Sequence, residues 1–141
     1  MEKNTKGSAA AKAEGLRKRK RHPVHWRVAI VRKVGTRNDI YHGRTHDLSM
    51  AGASILADKN IFVEEPVVVL LAIPPEFAGQ SERIVEIRCR MFYTVLSADE
   101  GLFRIGMKFL EFKGDGRKLL LSVLSKRVLP DDRKVTMIQD F

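Results

Sequence analysis

Two short groups of residues in this sequence could do chemistry. One is a run of five cations, Arg17-Lys18-Arg19-Lys20-Arg21; the other is Asp47-Leu48-Ser49-Met50-Ala51-Gly52. Five adjacent cations are either a solvated basic run or a footprint for an anionic partner. The second group, taken alone, reads as a polar turn in which Asp47 and Ser49 bond local backbone and Gly52 supplies positive φ. Enzyme readings fare worse. His46, Asp47 and Ser49 are the residue types of a hydrolytic triad, but a triad converges from separate elements, and near neighbours on one loop do not aim at a common point. His42 and His46 are four apart, a metal spacing for a helix, yet they fall in a strand and no Cys or carboxylate cluster completes a site. There is no Walker loop and no G-x-G-x-x-G. Cys89 lies mid-strand among apolar neighbours, as inert core. No catalytic residue, metal or cofactor is expected.

The elements that position these groups follow from the hydrophobic pattern. The chain has 141 residues, 44% hydrophobic and 30% charged, with one cysteine, which suits a single domain without disulfides. Residues 1–46 carry 13 Lys/Arg against three acids, whereas residues 47–141 carry 13 against 14, so the net charge of +9 belongs to the first third. The longest apolar run, Val67 to Ile73, is too short to span a bilayer, and the first 15 residues lack a secretory signal's apolar stretch. A cytoplasmic protein with no direct membrane insertion is expected. Residues 1–15 read as disordered and 16–23 as a basic arm, with Pro23 marking entry to the folded body.

Period-two alternation predicts six strands. The first begins at Trp26 and persists to Val34. Thr36-Arg37-Asn38-Asp39 supplies turn chemistry, and Ile40 to Thr45 returns. A loop over Asp47 to Gly52 precedes a short strand, Ala53 to Ala57. Val67 to Ile73, Arg83 to Leu96 and Leu102 to Phe112 complete the set, the last two joined by a turn at Ala98 to Gly101. Ile87, Cys89 and Met91 share a core face. Asp115 is a plausible N-cap for an amphipathic helix over about 115–129, ended by Pro130, with a tail over 130–141. The fold class is mainly β: a small six-stranded antiparallel barrel, about 24–112, with a C-terminal helix.

The order of these features resembles the PilZ domain family. The resemblance rests on Arg17-x-x-x-Arg21, on Asp47-Leu48-Ser49-Met50-Ala51-Gly52-Ala53 and on the late strand Arg104-Ile105-Gly106-Met107-Lys108-Phe109. It covers residues 16–129 and implies a PilZ-type barrel that binds the bacterial second messenger cyclic di-GMP and passes an output to a protein partner in motility, biofilm or exopolysaccharide control. It assigns ligand contacts to Arg17, Arg21, Asp47, Ser49 and Gly52.

The residue chemistry agrees. Guanine presents O6 and N7 to an Arg fork, which also pairs with phosphate. Its N1–H and N2–H₂ suit the Asp47 carboxylate. Ser49 has a hydroxyl for phosphate or base, and Gly52 permits close backbone approach. Because residues 22–26 carry no further Arg, Arg19, Lys20 and His22 are secondary candidates, and either Arg17/Arg21 or Arg19/Arg21 could be the working pair. With the turn centred near Asn38, Trp26 to Val28 would face Ala51 to Ser49, which puts the arm at the loop's end of the barrel. The arm would then be recruited from solvent onto the barrel by ligand. The competing readings are a basic-tailed barrel binding nucleic acid non-specifically, for which only Trp26 offers an aromatic beside the basic run, and a scaffold of the same family without ligand.

Overall fold

The computed structural model describes residues 21–127. Arg17, Arg19 and Lys20, together with segments 1–15 and 130–141, lie outside the described residues. Six strands follow in order: β1 (Arg27–Val34), β2 (Arg37–Leu48), β3 (Gly52–Ala57), β4 (Val67–Ile73), β5 (Arg83–Ser97) and β6 (Leu102–Phe112), and then helix α1 (Gly116–Ser125). Neighbouring strands are antiparallel, and the order β1-β2-β3-β6-β5-β4 closes on itself through the β1–β4 pair. Closure leaves no sheet edge to be templated by another chain.

The alternation seen in the sequence is what fills the barrel. Ile30, Ile55, Leu71, Ile87, Ile105 and Met107 are each at most 1% exposed and meet along its interior. Cys89 is among them at 0% exposure. Burial pushes its thiol up to about 12, because a thiolate has no solvation there. Between β3 and β4 the chain crosses over residues 58–66, and Ile61 and Val63 turn into the same core. In α1, Leu120, Val123 and Leu124 are buried, and the helix packs on β5. Leu120 is wholly buried, so truncating it to Ala removes roughly 2–5 kcal/mol of stability. No helix among the described residues is long and apolar enough to cross a membrane.

Three local expectations change. The first hairpin turns two residues earlier than Asn38. Val34 pairs with Arg37, leaving Gly35-Thr36 as a two-residue loop. Gly35 has φ 64°, the conformation that a type II′ hairpin demands at its first central position. Trp26 therefore lies beside Thr45, and Ala51 to Ser49 are not its partners; the Trp26 amide donates to Thr45 Oγ1 at 2.9 Å. Second, Asp47 is not in a loop but is the penultimate residue of β2. Third, α1 ends at Ser125, and Asp115 sits at its N-cap without a side-chain hydrogen bond.

Candidate functional site

The end of β2 carries a bulge. Thr45 pairs with Ile55 and Asp47 with Ser54, which leaves His46 as an extra residue. A bulge breaks the in–out alternation and re-aims side chains. Thr45 and Leu48 both point inward at 0% exposure, while His46 and Asp47, between them, both stay on the outside with side chains 34% and 22% exposed. Without the extra residue one of the two would face the core.

Residues 21–26 continue alongside β2 as far as Asp47. Thr45 holds the segment ahead of β1: its hydroxyl donates to the Val24 carbonyl and accepts from the Trp26 amide, so this buried polar group is satisfied on both sides. Two residues further back, His22 and Leu48 exchange main-chain bonds, His22 N to Leu48 O at 2.7 Å and Leu48 N to His22 O at 2.9 Å. This bridge sets Arg21 over the end of β2. Arg21 Nη1 donates to Asp47 Oδ1 at 2.5 Å. The expectation that the whole arm waits in solvent is thus corrected for residues 21–23, whose backbone already lies on the barrel. His22 is 7% exposed and serves as the arm's main-chain anchor.

Beyond Leu48 the chain makes a tight loop, and Ser49 is its organiser. Ser49 is 1% exposed. Its Oγ accepts from the amides of Ala51 at 3.1 Å and Gly52 at 3.3 Å, and its amide donates to Gly52 O at 2.9 Å. Here the hydroxyl is occupied by its own loop, an arrangement typical of Ser in turns. Gly52 does not adopt positive φ, which corrects the turn expectation. Glycine is needed there for space: a Cβ would sit 2.2 Å from the Met107 carbonyl oxygen on β6. His46 and Ser49 do not pair, since the His46 ring contacts Asp47 and Arg104. The triad types therefore do not assemble into a nucleophile and its base.

Sequence reasoning missed the side chains that connect to Asp47 through His46 and Ser54. His46 Nδ1 is 3.2 Å from Asp47 Oδ2, and Arg104 Nη2 on β6 is 3.2 Å from His46 Nε2. In register, Asp47 lies beside Ser54, Ser54 beside Gly106 and Gly106 beside Tyr93. The Tyr93 ring covers Gly106 so closely that a Cβ would be 2.2 Å from its Cε2, and its hydroxyl lies 3.2 Å from Ser54 Oγ. The only available signal was the small residue at 106 facing an aromatic; the bulge that brings His46 outward left no mark in the pattern.

Arg21 also lines a groove of about 860 Å³. It runs past Met50 to Gly52 and across β6, by Lys108 and Phe112, to Arg117 on α1. Arg21 alone of the described motif side chains both lines this groove and touches Asp47. Trp26, the aromatic nearest the basic run, is 6% exposed and lies beneath Arg127, whose guanidinium is 5.2 Å from the ring centroid. It presents no open face for a nucleobase to stack on. Among the described residues no three His, Cys, Asp or Glu side chains gather as a metal site.

A family model described as PilZ domain matches residues 16–126. Among solved structures, the chain is similar to the Bacillus subtilis inhibitor of motility MotI/DgrA, with TM-score 0.60 and 14% identity over 77% of this chain and 51% of that one. It is also similar to Escherichia coli YcgR in complex with c-di-GMP (TM-score 0.48, 12% identity, 82% of this chain and 48% of that one). The K. pneumonia MrkH–c-di-GMP complex gives TM-score 0.49 and 14% identity over 74% and 48%. The chain spans about half the length of these structures. No curated protein matches the sequence.

Proposed function

The chain belongs to the PilZ domain family, and from that membership we propose that it is a receptor for cyclic di-GMP. The observation that carries the reading is the meeting of Arg21 and Asp47 at 2.5 Å. One brings the donor fork that guanine's O6/N7 edge or a phosphate requires, the other the acceptor for N1–H and N2–H₂.

Ligand entry exchanges partners. The Arg21–Asp47 pair has side chains 40% and 22% exposed, and a pair so open to solvent is worth at most about 1 kcal/mol. Hydrogen bonds from guanine to the Asp47 carboxylate, being bonds to a charged group, are worth roughly 1.5–3 kcal/mol. Exchange is therefore favourable: guanine takes the carboxylate, and Arg21 is released to the base edge or phosphate. Arg17, four residues earlier, or Arg19 supplies the second fork, with Lys20 as a further cation beside the ligand. Ser49 and Gly52 keep the loop beneath the ligand in shape. The protein works as an adaptor in the cytoplasm: rearrangement of residues 16–21 changes the surface offered to a protein effector in motility, biofilm or exopolysaccharide control. It acts by binding and not by catalysis.

Calorimetric titration with cyclic di-GMP tests this. Saturable binding by the wild type, lost in Arg21→Ala with the fold intact by circular dichroism, is the expected result. A flat wild-type trace overturns the reading, and equal binding of unrelated polyanions would return it to non-specific electrostatics.

A further inference from the structure

His46 stands between two charged groups, and its hydrogen bonds have only one consistent direction. An arginine carries donors and no acceptor. With Arg104 Nη2 at 3.2 Å, His46 Nε2 must be the accepting nitrogen. In a neutral imidazole the other nitrogen then bears the proton. That nitrogen, Nδ1, is 3.2 Å from Asp47 Oδ2. The donors thus run one way, Arg104 to His46 to Asp47. Arg104 is held in register between Leu56 on β3 and Val95 on β5. Its Nε is buried without a hydrogen-bond partner, and its Nη2 bonds His46.

We infer that His46 and Arg104 are positioning residues that fix the carboxylate plane of Asp47 for ligand. The inference rests on the cyclic di-GMP reading and says which group prepares the acceptor. A guanine edge donates to both oxygens of one carboxylate and so requires a single rotamer. A carboxylate oxygen has more than one lone-pair site, so Oδ2 keeps its bond from His46 while it accepts from the base. Of the two contacts on Asp47, the one from Arg21 is exchanged and the one from His46 persists. The β-bulge is the device that makes this possible, since it places His46 on the outer face next to Asp47.

The test pairs calorimetry with ¹⁵N spectroscopy of the histidine rings. His46→Leu should weaken cyclic di-GMP binding roughly ten- to thirtyfold, the loss of one hydrogen bond to a charged group. His46→Asn keeps an N–H at the Nδ1 position and should stay within about threefold of wild type on the same principle. Arg104→Leu should weaken binding and release His46 to a mixture of tautomers. In the wild type the His46 proton should be on Nδ1. The inference is overturned if wild type binds but His46→Leu binds equally well, if Asn and Leu at position 46 lose affinity alike, or if the proton is found on Nε2. If wild type does not bind cyclic di-GMP, the functional reading fails, and the tautomer alone decides whether the donor chain exists.

Discussion

Arg21 Nη1 rests 2.5 Å from Asp47 Oδ1 across 26 residues of sequence, so the two groups most suited to reading a guanine are each other's partner in the free protein. The pair is a latch of low strength, about 1 kcal/mol or less at this exposure. It holds Arg21 against the end of β2, and a stronger partner for either group would displace it.

Removing the charge at Asp47 should show this. Asp47→Asn retains size but puts a donor where guanine also donates. Cyclic di-GMP affinity should fall by about a hundredfold, as expected for hydrogen bonds to a charged group, while thermal stability changes little. Calorimetry on the variant decides; affinity within threefold of wild type would remove Asp47 from the site.

Arg21→Lys separates charge from shape. Lysine keeps the cation but loses the planar fork. Binding should drop by more than tenfold, on the scale of one bidentate base contact, and the drop should persist at raised salt. Full activity of the lysine variant would mean that only net charge matters at this position.

Ser49 should behave as a structural residue. Its hydroxyl accepts from two backbone amides inside the loop, so Ser49→Ala should cost about 1–2 kcal/mol in urea denaturation and weaken binding only through the loop. Collapse of binding with unchanged stability would instead make the hydroxyl a direct ligand contact.

Gly52→Ala tests a steric claim. The new methyl would meet the Met107 carbonyl oxygen at 2.2 Å. Backbone does not yield cheaply, and the variant should lose at least about 2 kcal/mol, seen as a lower urea midpoint. A variant as stable as wild type would show that β3 and β6 can separate.

Cys89 should resist alkylation in the native protein at pH 8, because its thiol is pushed up to about 12. The same shift predicts an alkaline dependence. The unfolded thiol ionises near 9 while the folded one stays protonated, so the folded state holds the extra proton and stability falls between about pH 9 and 12. Urea midpoints of Cys89→Ala should fall less over that window than those of wild type. Rapid labelling of the native thiol would contradict the burial.

Much of the barrel was legible from side-chain alternation. Val67 to Ile73 and Leu102 to Phe112 emerged at the expected residues, and Arg83 to Leu96 within one residue, because strands with one face in a core must alternate, and Pro74, Gly101 and similar residues punctuate them. The first hairpin was misplaced since Thr36 to Asp39 is rich in turn formers, yet Gly35 alone takes the left-handed φ that the tight turn needs.

By itself the sequence determined which residues could face an interior, where the cations lie and which types could read a guanine. Only the tertiary structure decided that residues 21–23 run beside β2, that Ser49 is turned inward, and that His46 and Arg104 connect to Asp47. The reason is physical. Alternation is a local property of consecutive side chains, whereas a bulge, a main-chain bridge such as His22–Leu48 and a close approach such as Gly52–Met107 are set by how separate strands register, which no single stretch of sequence encodes.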